Sequence, residues 1–147
     1  MRLILGMMFT ALIVVPAKAS DGLERVKSQY DVPTTTDRLI DISEMNGLTV
    51  FNRIDHGRGA KNVGIDIAPS ELLIVGNPKA GSLLMKCSSV SGIDLPLKFL
   101  VSEVDGKVWI YHNKLEYIKS RHQIEGCDKV ITAISSTLMN IANKAAI

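Results

Sequence analysis

Apolar and polar residues alternate along 97–104 and 107–113, and the two-residue break between them is Asp105-Gly106. Asp-Gly is favoured in tight hairpin turns because both central positions take positive φ. Pairing Val104 with Lys107 sets Ser102 against Trp109, Val101 against Ile110, Leu100 against Tyr111 and Phe99 against His112. One side of the predicted hairpin carries Phe99, Val101, Val108 and Ile110; the other carries Leu100, Trp109 and Tyr111. Both sides are largely apolar, so each needs a cover.

The same reading extends along the chain. Weak alternation over 22–29 predicts a first strand with Leu23 and Val26 inward. Residues 48–55 alternate more clearly: Leu48, Val50, Asn52 and Ile54 point one way, and Thr49, Phe51, Arg53 and Asp55 the other. "ELLIVG" (71–76) is an unbroken apolar run, read as a strand buried on both faces. A helix starts at Asp31 or Thr34, tolerates Pro33 in its first turn and stops at Asn46-Gly47. Its Thr35, Leu39, Ile42 and Met45 share one face. "AGSLLMKCSSV" (80–90) predicts a short helix with Leu83, Leu84 and Cys87 inward, and Met45, Met85 and Met139 read as core filling. Asn113 with Glu116 forms a capping pair for a helix reaching Ile124. Asp128 opens the last helix, whose Val130, Ile131, Ile134, Leu138, Ile141 and Ala145 make one stripe. "HGRGAKN" (56–62) reads as a loop or single turn, and "VGIDI" (63–67) as extended. The order implies an α+β domain, a mostly antiparallel sheet of about five strands with helices packed mainly on one face. The Leu100–Trp109–Tyr111 side is then covered either by a second copy of the chain or by the first or last helix.

The N-terminus changes the charge picture. "MRLILGMMFTALIVVPAKAS" begins with Arg2, runs apolar from Leu3 to Val15, breaks at Pro16 and ends in Ala17-Lys18-Ala19. That is the layout of a secretory signal over 1–19, cut after Ala19. About thirteen apolar residues are too few for a helix across a bilayer, which takes about twenty. The leader holds two of the 17 cations and none of the 15 acids, so residues 20–147 are balanced. Without a dense Lys/Arg run, nucleic acid is not an expected partner. The expectation is one domain over 20–147, periplasmic or secreted, with no membrane insertion after signal cleavage.

Candidate chemistry is sparse. "LLIVGNPKAGSLLMK" has the strand, glycine-bounded turn and helix of a phosphate-binding loop, and Gly76 and Gly81 are correctly spaced. Ser82 and Leu83, however, stand where the lysine and the magnesium-holding hydroxyl belong, and Pro78 deletes a backbone N–H. No G-x-S-x-G surrounds any serine. His56, His112 and His122, with Met85 or Met139, lack ligand-like spacing, so no metal, cofactor or catalytic residue is assigned. His112 reads as a partly buried histidine and His122 as a favourable charge at a helix C-terminus. His56 follows Asp55 at a strand end, where it can meet Glu71, Asn77 and Lys79 in a small-ligand pocket or simply satisfy loop backbone. Cys87 and Cys127, an even pair in an oxidising compartment, are expected to form a disulfide. Reduced buried thiols, or metal or redox work, are the alternatives.

"GNPKAGSLLM", preceded by "ELLIV" and followed by "GIDLPLKFLV", resembles the bacterial domain-of-unknown-function 302 (DUF302) family. "VFNRIDHGRGAKNVGIDIAPSELLIVGNP" and "DGKVWIYHN" fit the same pattern, so the resemblance runs from about Gly22 to the final helix. It implies a compact α+β domain, often exported and dimeric, and it transfers no catalytic residue. Cys87 and Cys127 match no feature of the family. The expectation is an exported, non-enzymatic binding or interaction module forming a homodimer. The alternatives are a periplasmic metal or haem binder, or a hydrolase-type enzyme using His56 with a nearby carboxylate.

Overall fold

Asp105 and Gly106 take φ values of 51° and 68°, and the turn sets the hairpin in the predicted register from Val104–Lys107 to Phe99–His112. The structure, a computed structural model, describes residues 22–147; the leader expected over 1–19 lies outside the described residues. Five strands, β1 (Leu23–Lys27), β2 (Thr49–Asp55), β3 (Ser70–Gly76), β4 (Leu97–Val104) and β5 (Lys107–Asn113), form one sheet. Its order is β1-β5-β4-β3-β2, and every neighbouring pair is antiparallel. The helices are α1 (Val32–Met45), α2 (His56–Asn62), α3 (Pro78–Cys87), α4 (Leu115–Arg121) and α5 (Asp128–Ala145), with a 3-10 turn over Ser89–Asp94. The α+β class is the one the sequence predicts.

Leu73, Val75, Phe99, Val101 and Ile110 are fully buried on one face of the sheet. Arg53 faces the same way as its ladder partner Leu73 and bonds Asp37 and Pro33 of α1, so α1 lies on that side. α5 adds Leu138, Ile141 and Ala142 to the same core. Arg38 of α1 donates to the carbonyls of Ala145 and Lys144 at 2.9 and 3.1 Å, a cation clamping the C-terminal end of α5. On the opposite face Ile54, Leu72, Leu100 and Tyr111 form one row across four strands with Trp109 beside them, and none is buried. The first and last helices therefore do not cover that face, because both are spent on the other.

Several local expectations are corrected. β3 is buried on one side only: Leu72 and Ile74 belong to the open face, whose own apolar character makes the run continuous. In β1, Val26 packs against the core while Leu23 points outward and Glu24 inward, opposite His112. β2 does not alternate strictly, because its register shifts between Val50 and Asn52. The bulge at Phe51 puts Arg53 and Asp55 on the same face as Val50. Residues 56–62 are helical despite two glycines, since Asp55 Oδ1 accepts the Arg58 N–H at 2.8 Å and caps the turn. Asn113 stays in β5 opposite Leu23, so the capping pair does not form and α4 ends at Arg121. Met45 is 84% exposed and Met85 44%, so neither fills the core, and in α3 only Leu84 is buried.

Candidate functional site

Asn77 and Pro78 start α3 by familiar means. Asn77 Oδ1 accepts the N–H groups of Lys79 and Ala80 at 3.0 and 3.2 Å, and Pro78 occupies the first turn, where its missing donor costs nothing. The Asn77 amide also donates to the Gly47 carbonyl at 3.3 Å, tying α3 to the turn before β2. Between α3, the first half of α5 and this end of the sheet lies an apolar cavity of about 820 Å³. Small-molecule sites typically measure roughly 300–1,000 Å³.

Leu48, Val75 and Leu97 contribute from the sheet, Leu83 and Met85 from α3, and Val130 and Ile134 from α5. The β2 bulge has a use here, because Phe51, the residue it displaces from regular pairing, also lines the cavity. Gly76 permits the close approach: a Cβ there would sit 3.4 Å from both the Phe51 ring and Pro96. Lys79 and Lys129 are the charged side chains on the wall, and no carboxylate, imidazole or thiol lines it.

The cavity was concealed in the sequence by a stripe read as a single face. Ile131, Leu138, Ile141 and Ala145 of α5 enter the core, whereas Val130 and Ile134 are only half-buried and turn to the cavity. An apolar arc wider than one core contact requires is the signal that marks such a second surface.

The four residues expected to share a pocket do not converge. Asn77 and Lys79 stand at the cavity mouth. Glu71 and His56 lie at the other end of β3, roughly 20 Å away at 3.3 Å per residue. His56 is exposed in the first turn of α2. Glu71 is buried and bonded by Arg53 through Nη2 at 2.7 Å and Nε at 3.0 Å, while Arg53 Nη1 reaches Asp37 at 2.6 Å. This is a structural ion-pair network across β2, β3 and α1.

The other histidines also have local partners. His122 Nε2 bonds Asp94, which Arg121 joins at 3.3 Å, so this imidazole ties the end of α4 to the turn before β4. His112 is buried, edge-on to Phe99 at 5.6 Å, with Nδ1 near the Asn113 carbonyl and Nε2 3.6 Å from Glu24. The sulfurs of Cys87 and Cys127 stand at bonding distance with Cα atoms 6.4 Å apart, linking the last residue of α3 to the residue preceding α5. Among the described residues, no three His, Cys, Asp or Glu side chains are grouped to hold a metal ion.

Fold and site together define a small α+β domain with a ligand-sized apolar cavity at an end of its sheet. Residues 24–141 match the family described as Domain of unknown function DUF302, and the chain belongs to that family. A crystal structure of an uncharacterized conserved DUF302 protein from Bacillus stearothermophilus superposes with a TM-score of 0.79. It covers 86% of this chain and 99% of that one at 18% identity, a likeness of fold. The chain is also 39% identical over 104 residues to two Brucella proteins, fluoride-specific ion channel FluC 1 of Brucella suis biovar 1 and FluC 2 of Brucella melitensis biotype 1. The matched stretch is 70% of this chain but 41% and 38% of those proteins' length.

Proposed function

We propose that this protein is an exported, non-enzymatic binding module that acts as a homodimer and holds a small apolar molecule in the cavity between α3, α5 and the sheet. The cavity carries the reading. Its wall offers apolar contact and two lysines, but no carboxylate, imidazole or thiol to take up a reacting proton. Asn77 and Lys79 serve at its mouth, while Glu71 and His56 have no part in it.

Export is supported by the leader pattern and by a cysteine pair at bonding distance, an arrangement that persists in oxidising compartments. The dimer is supported by the open apolar face of the sheet and by Val63, Ile65 and Ile67, all exposed in the segment before β3. Native mass spectrometry of the protein purified from its own envelope tests these points together. The expected result is a pair of chains beginning at Ser20, each about 2 Da lighter before reduction than after, with an apolar guest retained. Full-length, empty monomers recovered from cytosol at micromolar concentration sink the reading.

A second reading follows from the Brucella relatives, in which a similar stretch is part of proteins named fluoride-specific ion channels. The shared stretch is under half of those proteins' length, and the part of their named activity proposed for this chain is fluoride binding. A fluorine NMR titration with sodium fluoride decides: broadening or shift on adding protein supports this reading, and an unchanged line dismisses it.

A further inference from the structure

We infer that the cavity takes a single-chain carboxylate amphiphile of the fatty-acid class, its tail along α3 and α5 and its head at one of the two wall lysines, Lys79 or Lys129. The inference rests on the proposed use of the cavity as a ligand site and names what fills it. The wall is apolar along both helices, which suits a flexible alkyl chain and rejects a guest polar throughout its length, since desolvated polar groups would find few partners there.

The charges on the wall have one sign. Lys79 belongs to the first turn of α3 and Lys129 to the first turn of α5; because Cys87 at the end of α3 is joined to Cys127 just before α5, the two lysines stand toward opposite ends of α3. Neither has an ion-pair partner among the described residues. Asp128, the acid nearest Lys129 in sequence, is already committed to Lys119. A carboxylate at either lysine supplies that lysine's missing countercharge and leaves its tail to the apolar wall.

Calorimetric titration of the full chain with octanoate through tetradecanoate, and with the matching primary alcohols, tests this. Affinity for the carboxylates is expected to rise about four-fold per methylene, with one site per chain. Replacing both lysines, Lys79→Gln with Lys129→Gln, weakens carboxylate binding about ten-fold and leaves the alcohols unchanged. Ala133→Phe, which puts a ring into the cavity from the exposed side of α5, abolishes both. Alcohols that bind as tightly as carboxylates, indifferent to the lysine changes, overturn the anionic head but keep the cavity as a ligand site. A folded chain that binds neither series overturns both readings. Binding that survives Ala133→Phe moves the guest elsewhere and overturns the assignment. Uptake seen only after dilution to monomer gives the cavity to a second copy, and also overturns it.

Discussion

Glu71 keeps its carboxylate nearly out of solvent because Arg53 reaches it with two nitrogens from the neighbouring strand. Arg53→Met strands that charge, and a buried ion left alone costs about 3 kcal/mol. Urea unfolding is expected to show this loss, and adding Glu71→Met is expected to recover most of it; a single mutant within 1 kcal/mol of the parent, by the same scale, contradicts the pairing. Asp31 behaves differently because it is exposed. Hydrogen bonds from Thr34, its side chain first and its backbone N–H second, hold the Asp31 carboxyl below the ordinary value of 3.8. A carboxylate with a lowered folded-state pKa stabilises above its unfolded value, and loses that contribution as pH falls through the folded one. Melting temperature should therefore drop on acidification below 3.8, and less steeply in Asp31→Asn, which keeps a good cap without the charge. Gly81 sits inside α3, and a Cβ there would meet only Leu95 at 3.6 Å, ordinary contact. Gly81→Ala is expected to stabilise by about 0.5–1 kcal/mol in thermal melts. The Asp31 cap was readable because its type and position suffice. Arg53–Glu71 was not, since the two meet only through a strand pairing 18 residues apart in sequence.

At the scale of elements, legibility follows locality. The β4–β5 register could be read from two turn residues, because the turn geometry propagates along both strands. The β2 bulge had no such marker: nothing around Phe51 announces it, and it emerges only when β2 is laid against β3. α2 shows a cap outweighing composition, and α5 shows a single apolar arc serving two surfaces. The cysteine pair was anticipated from compartment and count, and with it a tie between the Cys87 helix and the start of the last helix; the cavity between those helices was not. The bridge joins the end of α3 to the start of α5, the two helices that flank the cavity. Closing a loop of 40 residues stabilises by about 4 kcal/mol on chain entropy. Cys87→Ser with Cys127→Ser is expected to lose about that much, with hydrogen exchange rising first in α3 and the first half of α5. Equal protection with and without the bridge would show that packing alone holds the two helices.

For the whole molecule, the open face is where the proposed dimer would form. Its paired positions include Arg25, Lys27, Lys98 and Lys107 around the apolar row, and no carboxylate. Arg25 lies over the Trp109 ring at 4.6 Å. Two such faces brought together are cohesive at the centre and repulsive at the rim, so the proposed dimer is expected to tighten as salt screens the cations. Leu100→Lys, in the middle of the row, should give monomers by light scattering with an unchanged circular dichroism spectrum. A dimer that falls apart with added salt would instead mean that an acidic surface is the true cover. The borders of the sheet limit growth in the other direction. β1 is five residues long and bears Arg25 and Lys27, and β2 is bent out of regular pairing at Phe51. Neither border welcomes another ribbon, so lateral accretion is blocked and only stacking is left: assembly would end with a finite pair rather than run on into a fibre.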